Sequence, residues 1–238
     1  MALGKKLTGI IGEVVLGAPG GTIEPQGWSQ IPFEIRTELA ARTYGLIRPF
    51  KLAVIAGTAI FPTVHIDQLM HWLLPRQSTD RRFLTTYRDV YHLARTFLLI
   101  LGLRSSGHNW AVLVGLYFIG EIVHGAIATF LVWGARVIHP ARSVVVAFWS
   151  YMESILAFAI LYMGCQCLNV GPHSATQALY FSAVTATTVG YGDILPMGDK
   201  GQRLVLVQLA VSVLFILLVI NALLSRVGGD ERKPAGVA

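Results

Sequence analysis

Charged residues are scarce in this chain of 238 residues. Asp, Glu, Lys and Arg make up 13% of it, against about 25% in ordinary soluble domains. Hydrophobic residues make up 54%. This composition excludes an ordinary soluble domain and indicates an integral membrane protein. The net charge of +6 does not indicate a nucleic-acid partner, because the basic residues flank apolar segments and do not form a stripe with interleaved aromatic residues.

Cysteine is also scarce, since the chain has only Cys165 and Cys167. Two cysteines are too few for a disulfide framework, and we expect this pair to be too close in sequence for an easy bridge. We predict that the two cysteines pack as small apolar side chains rather than bind a metal ion. The sequence shows no internal repeat.

A short loop with two glycines separates two strongly apolar segments near the end of the chain. It reads Thr187-Thr188-Val189-Gly190-Tyr191-Gly192-Asp193. It lacks the Lys-Ser/Thr ending of a phosphate-binding loop and the spacing of a dinucleotide-binding loop. Gly190 and Gly192 lie two residues apart, which predicts a backbone whose φ angles alternate in sign. The carbonyl groups of such a backbone can all face one side, where they replace the water around a cation.

This loop resembles the selectivity filter of the potassium channel family. The preceding Ala178-Leu179-Tyr180-Phe181-Ser182 is similar to the pore helix of that family. The following Ile194-Leu195-Pro196 and Gly201-Gln202-Arg203-Leu204 are similar to its exit loop and to the start of its inner helix. The resemblance covers about residues 145–226. It implies an all-α integral membrane protein with a re-entrant pore helix and filter loop, and a tetrameric pore.

The resemblance also implies the site residues. Those that bind K+ in the filter would be Thr188, Val189, Gly190, Tyr191 and Gly192. Those that support the filter would be Asp193, Thr187, Tyr180, Phe181 and Val184, with the aromatic residues forming a stiff collar. K+ is the only metal ion expected, and no cofactor is expected. Val184 stands where some members of the family carry Glu, so a buried carboxyl partner for Asp193 is missing.

Four apolar segments are predicted to cross the membrane, at 84–103, 110–133, 144–163 and 204–224. The first two form a two-helix hairpin within 83–137. The pore domain, 143–226, consists of an outer helix 144–163, a pore helix 175–186, the filter 187–193 and an inner helix 203–226. Ser174 or Thr176 can cap the pore helix, whose negative dipole end then faces the pore.

The ends of the chain are predicted to lie outside the bilayer core. Residues 1–82 form a cytosolic or interfacial region, and 227–238 form a short cytoplasmic tail. Within the first region, Pro62 interrupts the apolar segment 52–74. A re-entrant segment is therefore the prediction for 52–74, and a fifth span is the alternative.

The distribution of Lys and Arg predicts the orientation. With four spans and a cytoplasmic N-terminus, fourteen of the nineteen basic residues lie inside and three lie outside. Arg88 and Arg95 fall within the first span. This bias satisfies the positive-inside rule and places the Asp193 end of the loop outside the cell membrane.

The inner helix has no glycine between Gly201 and Gly228. Ser212 falls where the family often has a glycine hinge. Ile216, Ile220 and Leu224 follow at four-residue intervals on one helix face, and they are a candidate apolar gate that closes by losing its water. Contact with lipid or with another subunit is the alternative for this stripe.

Two ionisable residues, Glu121 and His124, lie in the middle of the second span. Their Glu-x-x-His spacing puts both on one helix face, yet a di-iron site would need a second such motif. A buried polar pair, or His124 as a pH-responsive packing element, is the prediction. Arg81, Arg88 and Arg95 are seven residues apart, which does not fit the three-residue spacing of a voltage-sensing helix.

The sequence as a whole predicts a potassium-selective channel that conducts K+ passively and is not an enzyme. Its expected partners are K+, the lipid bilayer and three further copies of the chain, without nucleic acid. The alternative is a non-conducting or regulatory membrane subunit that keeps the pore-loop fold. The intact loop favours the channel, because a subunit freed from conduction has no physical need for both glycines and Thr188.

Overall fold

The computed structural model describes residues 47–57, 73, 81–105, 108–128, 140–170 and 174–230. Within these ranges the chain forms the α-helices α1 Ile47–Gly57, α2 Arg81–Arg104, α3 Asn109–Ala128, α4 Pro140–Cys165, α5 Ala175–Ala186 and α6 Gly198–Asp230. An isolated antiparallel bridge joins Leu168 to Pro196. These ranges contain no strand longer than that bridge. The predicted all-α fold is confirmed.

Three of the described helices are long and apolar enough to cross a membrane. These segments are Asn109–Ala128, Val144–Cys165 within α4 and Gly198–Ile220 within α6. The chain is therefore an integral membrane protein. α2 has 24 residues, but its sequence includes Arg88, Asp89 and Arg95, and it is not among the three. The span predicted over 84–103 stays a prediction.

Several predicted segments fall partly or wholly outside the described residues. These are 1–46, the end of the second span at 129–133 and the tail at 231–238. α1 covers the beginning of the predicted segment 52–74, whereas 58–72 are not described.

The larger part of the described helices belongs to a compact unit made of residues 91–123 and 146–221. α4 is the centre of this unit, since every residue from Ala157 to Tyr162 is buried. Gly115 of α3 packs closely against it. A Cβ atom at Gly115 would lie 3.3 Å from the Ala157 carbonyl oxygen, which is tighter than most side-chain contacts. A larger residue there would push α3 away from α4.

A second compact unit consists of residues 1–90, 124–145 and 222–238. Its described contacts join different helices. The Arg142 guanidinium of α4 donates to the Asp89 carboxylate of α2 at 2.5 Å. The Nε2 atom of His124 on α3 lies 2.9 Å from the Val54 carbonyl oxygen of α1.

The surface of the chain is rich in apolar side chains. Only 28% of the spanning part of α6 is buried within the chain. Leu206, Val213 and Ile220 are each about half exposed or more, at 67%, 52% and 47%. Exposing so many apolar side chains to water is unfavourable, so the exposed faces of α6 must contact lipid or other protein.

Candidate functional site

α5 is a short helix that leads directly into the loop 187–193. A capping box begins it, because the Gln177 N–H donates to the Ser174 hydroxyl at 3.1 Å and the Ser174 N–H donates to the Gln177 side chain at 3.2 Å. Of the two residues predicted as caps, Ser174 is the one that caps. With 12 residues, α5 is about 18 Å long, too short to cross a bilayer core of about 30 Å.

The backbone of the loop 187–193 has positive φ at every second residue. The values are 59° at Thr188, 58° at Gly190 and 79° at Gly192, whereas Val189 and Tyr191 do not adopt positive φ. The two glycines thus have the conformation that their spacing predicts. Thr188 has it as well, although a side chain makes it costly, by about 1–2 kcal/mol. The surrounding structure must hold Thr188 in place.

Hydrogen bonds to the end of α5 supply part of that support. The Thr188 N–H donates to the Thr185 carbonyl and the Val189 N–H donates to the Val184 carbonyl, both at 3.0 Å. The Thr187 hydroxyl donates to the Ala183 carbonyl at 2.8 Å. Val184, predicted as a supporting residue, thus contributes a carbonyl group to the base of the loop.

The aromatic residues near the loop separate into two pairs. The rings of Tyr180 and Tyr191 stack, with centroids 6.4 Å apart and planes at 6°. Phe181 is buried and packs edge-on against Tyr162 of α4 at 4.8 Å. Tyr180 therefore stacks on the loop at Tyr191, whereas Phe181, which was also expected in the collar, anchors α5 to the core. The collar stays a prediction.

Asp193 closes the far end of the loop. Its carboxylate accepts the Ile194 N–H at 3.0 Å. A hydrogen bond from the Tyr180 phenol to Asp193 raises the pKa of that phenol. Tyr180 thus contacts both Tyr191, within the loop, and Asp193, at its end.

The segment that follows the loop is tied to the chain after α4. The Met197 N–H donates to the Cys167 carbonyl at 2.7 Å, and the Asn169 N–H donates to the Leu195 carbonyl at 3.0 Å. The Asn169 side chain accepts the Leu195 N–H at 2.7 Å. Gly201 fits here because a Cβ atom would lie 2.8 Å from the Cys167 carbonyl oxygen.

Cys165 and Cys167 form a disulfide, so the prediction that they pack as separate apolar side chains was wrong. α4 ends at Cys165, and Gln166 takes a positive φ of 50°. This turn brings the two Cα atoms to 5.2 Å, within the usual disulfide range of about 4.4–6.8 Å. Sequence spacing alone does not reveal such a turn.

A buried polar cluster behind the loop was not predicted as part of the site. It consists of Tyr162 of α4, Ser182 of α5 and Gln208 of α6, all buried. The Tyr162 hydroxyl donates to the Gln208 side-chain oxygen at 2.8 Å. The Ser182 hydroxyl donates to the Ile155 carbonyl of α4 at 2.8 Å. Gln208 stands out in the sequence as a polar residue in an apolar helix, but its partners do not.

The candidate gate residues have different surroundings in α6. Ser212 is buried and its hydroxyl donates to the Gln208 carbonyl at 2.9 Å. Ile216 and Ile220 are exposed at 49% and 47%. Leu224 lies in the helix, and its side chain is outside the described part of the chain. Ser212 is therefore turned into the protein, unlike the two isoleucines.

Glu121 and His124 have different described partners. The Glu121 carboxylate is buried, lies 2.7 Å from the Tyr91 hydroxyl and 3.6 Å from the Arg95 guanidinium. His124 meets the Val54 carbonyl. The residues described contain no group of three or more His, Cys, Asp or Glu placed to hold a metal ion.

A short helix and a loop between two spanning helices define a pore-loop membrane domain. Residues 127–228 match a family model described as an ion channel. The match includes α4, α5, the loop 187–193 and nearly all of α6, so the predicted resemblance is confirmed. This part of the chain is similar to the pore segments of ion channels.

A relative among known proteins is the inward rectifier potassium channel Kirbac3.1 of Paramagnetospirillum magnetotacticum. It is 30% identical over 89 residues, which are 37% of this chain and 29% of that channel. The chain thus matches less than a third of the relative's length. No solved structure matches the chain.

Proposed function

We propose that the chain forms a potassium-selective channel that conducts K+ passively through the loop 187–193. The observation that carries this proposal is the positive φ at Thr188, Gly190 and Gly192 in a loop between two spanning helices. The match to the ion channel family and the similarity to a potassium channel support it. Ion channels are not an enzyme family, and conduction needs neither a cofactor nor covalent chemistry.

The chemistry of the site is the replacement of hydration water by backbone oxygens. The carbonyl groups of Thr188, Val189, Gly190 and Tyr191, with the Thr188 hydroxyl, would form successive binding positions along the pore, with Gly192 setting the exit. Carbonyl dipoles stabilise a dehydrated cation without the cost of burying fixed opposite charges. The C-terminal end of α5 adds its negative dipole end on the inner side.

The pore requires several copies of the chain, and we infer a homotetramer. Val189 and Tyr191 are 52% and 70% exposed in the single chain. Irregular backbone at membrane depth is tolerated only where protein buries it or where it lines a water-filled path. Since each chain supplies one loop, a closed ring of identical copies is the simplest way to surround an ion.

The bias of Lys and Arg supports a location in the cell membrane with both termini in the cytoplasm and the Asp193 end of the loop outside. K+ would then approach the loop from the cytoplasm through the space between the α6 helices.

The test is ion flux into liposomes that contain the purified full-length chain. We expect K+ flux that barium blocks, with Na+ flux lower by about a hundredfold or more, a discrimination that corresponds to roughly 2.7 kcal/mol. Equal fluxes of K+ and Na+ would contradict the proposal. No flux of either ion would favour the non-conducting subunit.

A matched pair of variants separates the role of the loop from backbone strain. Gly190 and Gly198 have similar φ values of 58° and 64°, and neither has an atom within 4 Å of a Cβ position. Gly190→Ala and Gly198→Ala therefore carry a similar strain of about 1–2 kcal/mol. Only Gly190→Ala should abolish K+ flux or selectivity, and an equal loss in Gly198→Ala would mean that the chain merely unfolds.

A further inference from the structure

A second polar cluster lies buried between α2, α3 and α4, and the proposed conduction path does not use it. We call it the Arg95 cluster. Its members are Tyr91, His92, Arg95 and Thr96 of α2, Glu121 of α3 and Glu153 of α4. The side chains of Arg95, Glu121 and Glu153 are only 4%, 3% and 1% exposed. Charges at such positions in a membrane protein are costly, so a function is the default explanation.

Arg95 is the centre of this cluster. Its Nη2 atom donates to the Glu153 carboxylate, and its Nη1 atom lies 3.6 Å from Glu121 Oε1. Nη2 also lies 2.9 Å from His92 Nδ1, which must act as the acceptor because a guanidinium can only donate. One cation therefore faces two carboxylates.

The carboxylate of Glu153 is held on both of its oxygens. Oε2 meets Arg95, and Oε1 accepts the Thr96 hydroxyl at 2.8 Å. The indole N–H of Trp149 donates to Thr96 Oγ1 at 2.9 Å. All these partners come from α2 or α4, so the orientation of α4 around its own axis is tied to α2 through Glu153.

The other side of α4 is tied to the loop 187–193. Tyr151 precedes Glu153 by two residues, which places it about 200° away around the helix. The Tyr151 hydroxyl donates to the carbonyl of Ala186 at 2.7 Å. Ala186 ends α5, where the last carbonyl groups have no partner within the helix. Thr187 and the strained Thr188 follow immediately.

We propose that Arg95 is a positioning residue for the loop 187–193, acting through Glu153 and Tyr151 on opposite sides of α4. Arg95 fixes Glu153, Glu153 fixes the rotation of α4, and this rotation sets the Tyr151 hydroxyl on the Ala186 carbonyl. If Arg95 is lost, the buried Glu153 carboxylate keeps only the Thr96 hydroxyl and His92, whose Nδ1 lies 3.4 Å from Oε2. Without the guanidinium its charge is under-compensated, and α4 must turn or shift to give it water. The inference rests on the proposed function, since conduction is its readout.

The experiment is a double-mutant cycle on flux through the full-length chain. Arg95→Gln and Tyr151→Phe should each lower K+ flux by about five- to tenfold, within the usual range of coupling between sites. If Arg95 acts through Tyr151, the variant with both changes should be no worse than either alone. Multiplied effects would overturn the proposal, because residues that act independently are additive in free energy.

A control and a rescue separate positioning from general damage. Arg104→Gln changes an exposed arginine at the end of the same helix and should leave flux unchanged. Arg95→Gln with Glu153→Gln replaces the Arg95–Glu153 ion pair by two amides that can still hydrogen-bond, and Glu121 keeps the Tyr91 hydroxyl. Flux should therefore return to within about twofold of the wild type. Failure of this rescue while the protein stays folded would contradict the proposed role.

A second readout covers variants that fold poorly and a chain that does not conduct. Thermal unfolding of the same samples measures how much added K+ stabilises the protein relative to Na+. Glu153→Gln is the milder variant here, because Arg95 remains and still faces the Glu121 carboxylate. We expect Glu153→Gln and Tyr151→Phe to raise the K+ concentration that half-stabilises the protein. A wild type that binds K+ without conducting would refute conduction alone, whereas an unchanged midpoint in both variants would refute the role of Arg95. A wild type that neither conducts nor responds to K+ would remove both proposals.

Discussion

The side-chain nitrogen of Gln208 on α6 lies 2.8 Å from both the carbonyl and the hydroxyl oxygen of Ser182 on α5. The oxygen of the same amide accepts the Tyr162 hydroxyl of α4, also at 2.8 Å. A single glutamine thus joins three helices behind the loop 187–193. Because these groups are buried among apolar side chains, water cannot replace a partner that is lost.

Gln208→Leu should destabilise the protein, because it leaves the Tyr162 hydroxyl and the Ser182 carbonyl without this partner. Each buried polar group without a partner costs about 1–3 kcal/mol. The measurement is thermal unfolding of the purified protein in detergent. Gln202→Leu is the control, since Gln202 is exposed on the same helix. Equal shifts in the two variants would show that the polar bridge contributes nothing.

The loop 187–193 could be predicted because its requirement is local. Gly190 and Gly192 accept positive φ at little steric cost, and their spacing of two residues indicates the alternation. The cap at Ser174 depends equally on neighbouring residues, and so does the length of α5. Such features follow from a few consecutive residues and do not depend on how the helices pack.

The contacts that support the loop could not be predicted, because they join residues far apart in sequence. Tyr151 and Ala186 are 35 residues apart, and nothing in either neighbourhood indicates the other. Helix spacing predicts a pair of Glu121 and His124, yet the described partners of Glu121 are Tyr91 and Arg95 on α2. Packing of one helix on another decides these partners, and a single sequence contains no record of it.

Tyr180→Phe should weaken the outer end of the loop while leaving its aromatic stack intact. Phenylalanine keeps the ring on Tyr191 but cannot donate to Asp193. We expect K+ flux to fall by several-fold or to decay during recording. A Tyr180→Phe channel with wild-type flux would show that the stack alone supports the loop.

The pH dependence of the same bond has a definite sign. Because the bond to Asp193 raises the pKa of the Tyr180 phenol, the phenol stays protonated above its ordinary value of about 10. The bond is therefore intact at neutral pH and is lost only as the pH rises through the raised value. Wild-type flux should decline above about pH 10, and Tyr180→Phe should lack that step. A decline of the same size in both proteins would assign it to other groups.

The purified chain should be a homotetramer that K+ stabilises and Na+ does not. The loops of four copies would bury the exposed Val189 and Tyr191 against one another and against the ion. Native mass spectrometry gives the number of copies, and heating in K+ or Na+ gives the stability of the assembly. Gly190→Ala should remove the difference between the two ions. A monomer, or a tetramer that responds equally to both ions, would contradict this expectation.

Ile220→Ser should raise the basal K+ flux if the apolar stripe of α6 closes the pore. A hydroxyl group at the narrowest point lets water stay there and therefore opposes dewetting. Val207→Ser is a matched control, because Val207 has a similar exposure, 51% against 47%. It lies about 140° away around the same helix.

The two substitutions also separate a gate from a lipid-facing stripe. A stripe that faces lipid would give the same small change in flux for Ile220→Ser and Val207→Ser, together with a similar loss of stability. If the stripe is a gate, Ile220→Ser alone gives a large rise in K+ flux, whatever its effect on the stability of the protein. The reason is that the added hydroxyl acts on the closed state of the pore. Ser212, eight residues earlier on α6, is already a serine, but it is buried and its hydroxyl donates to the Gln208 carbonyl inside the protein, so it cannot hold water in the pore.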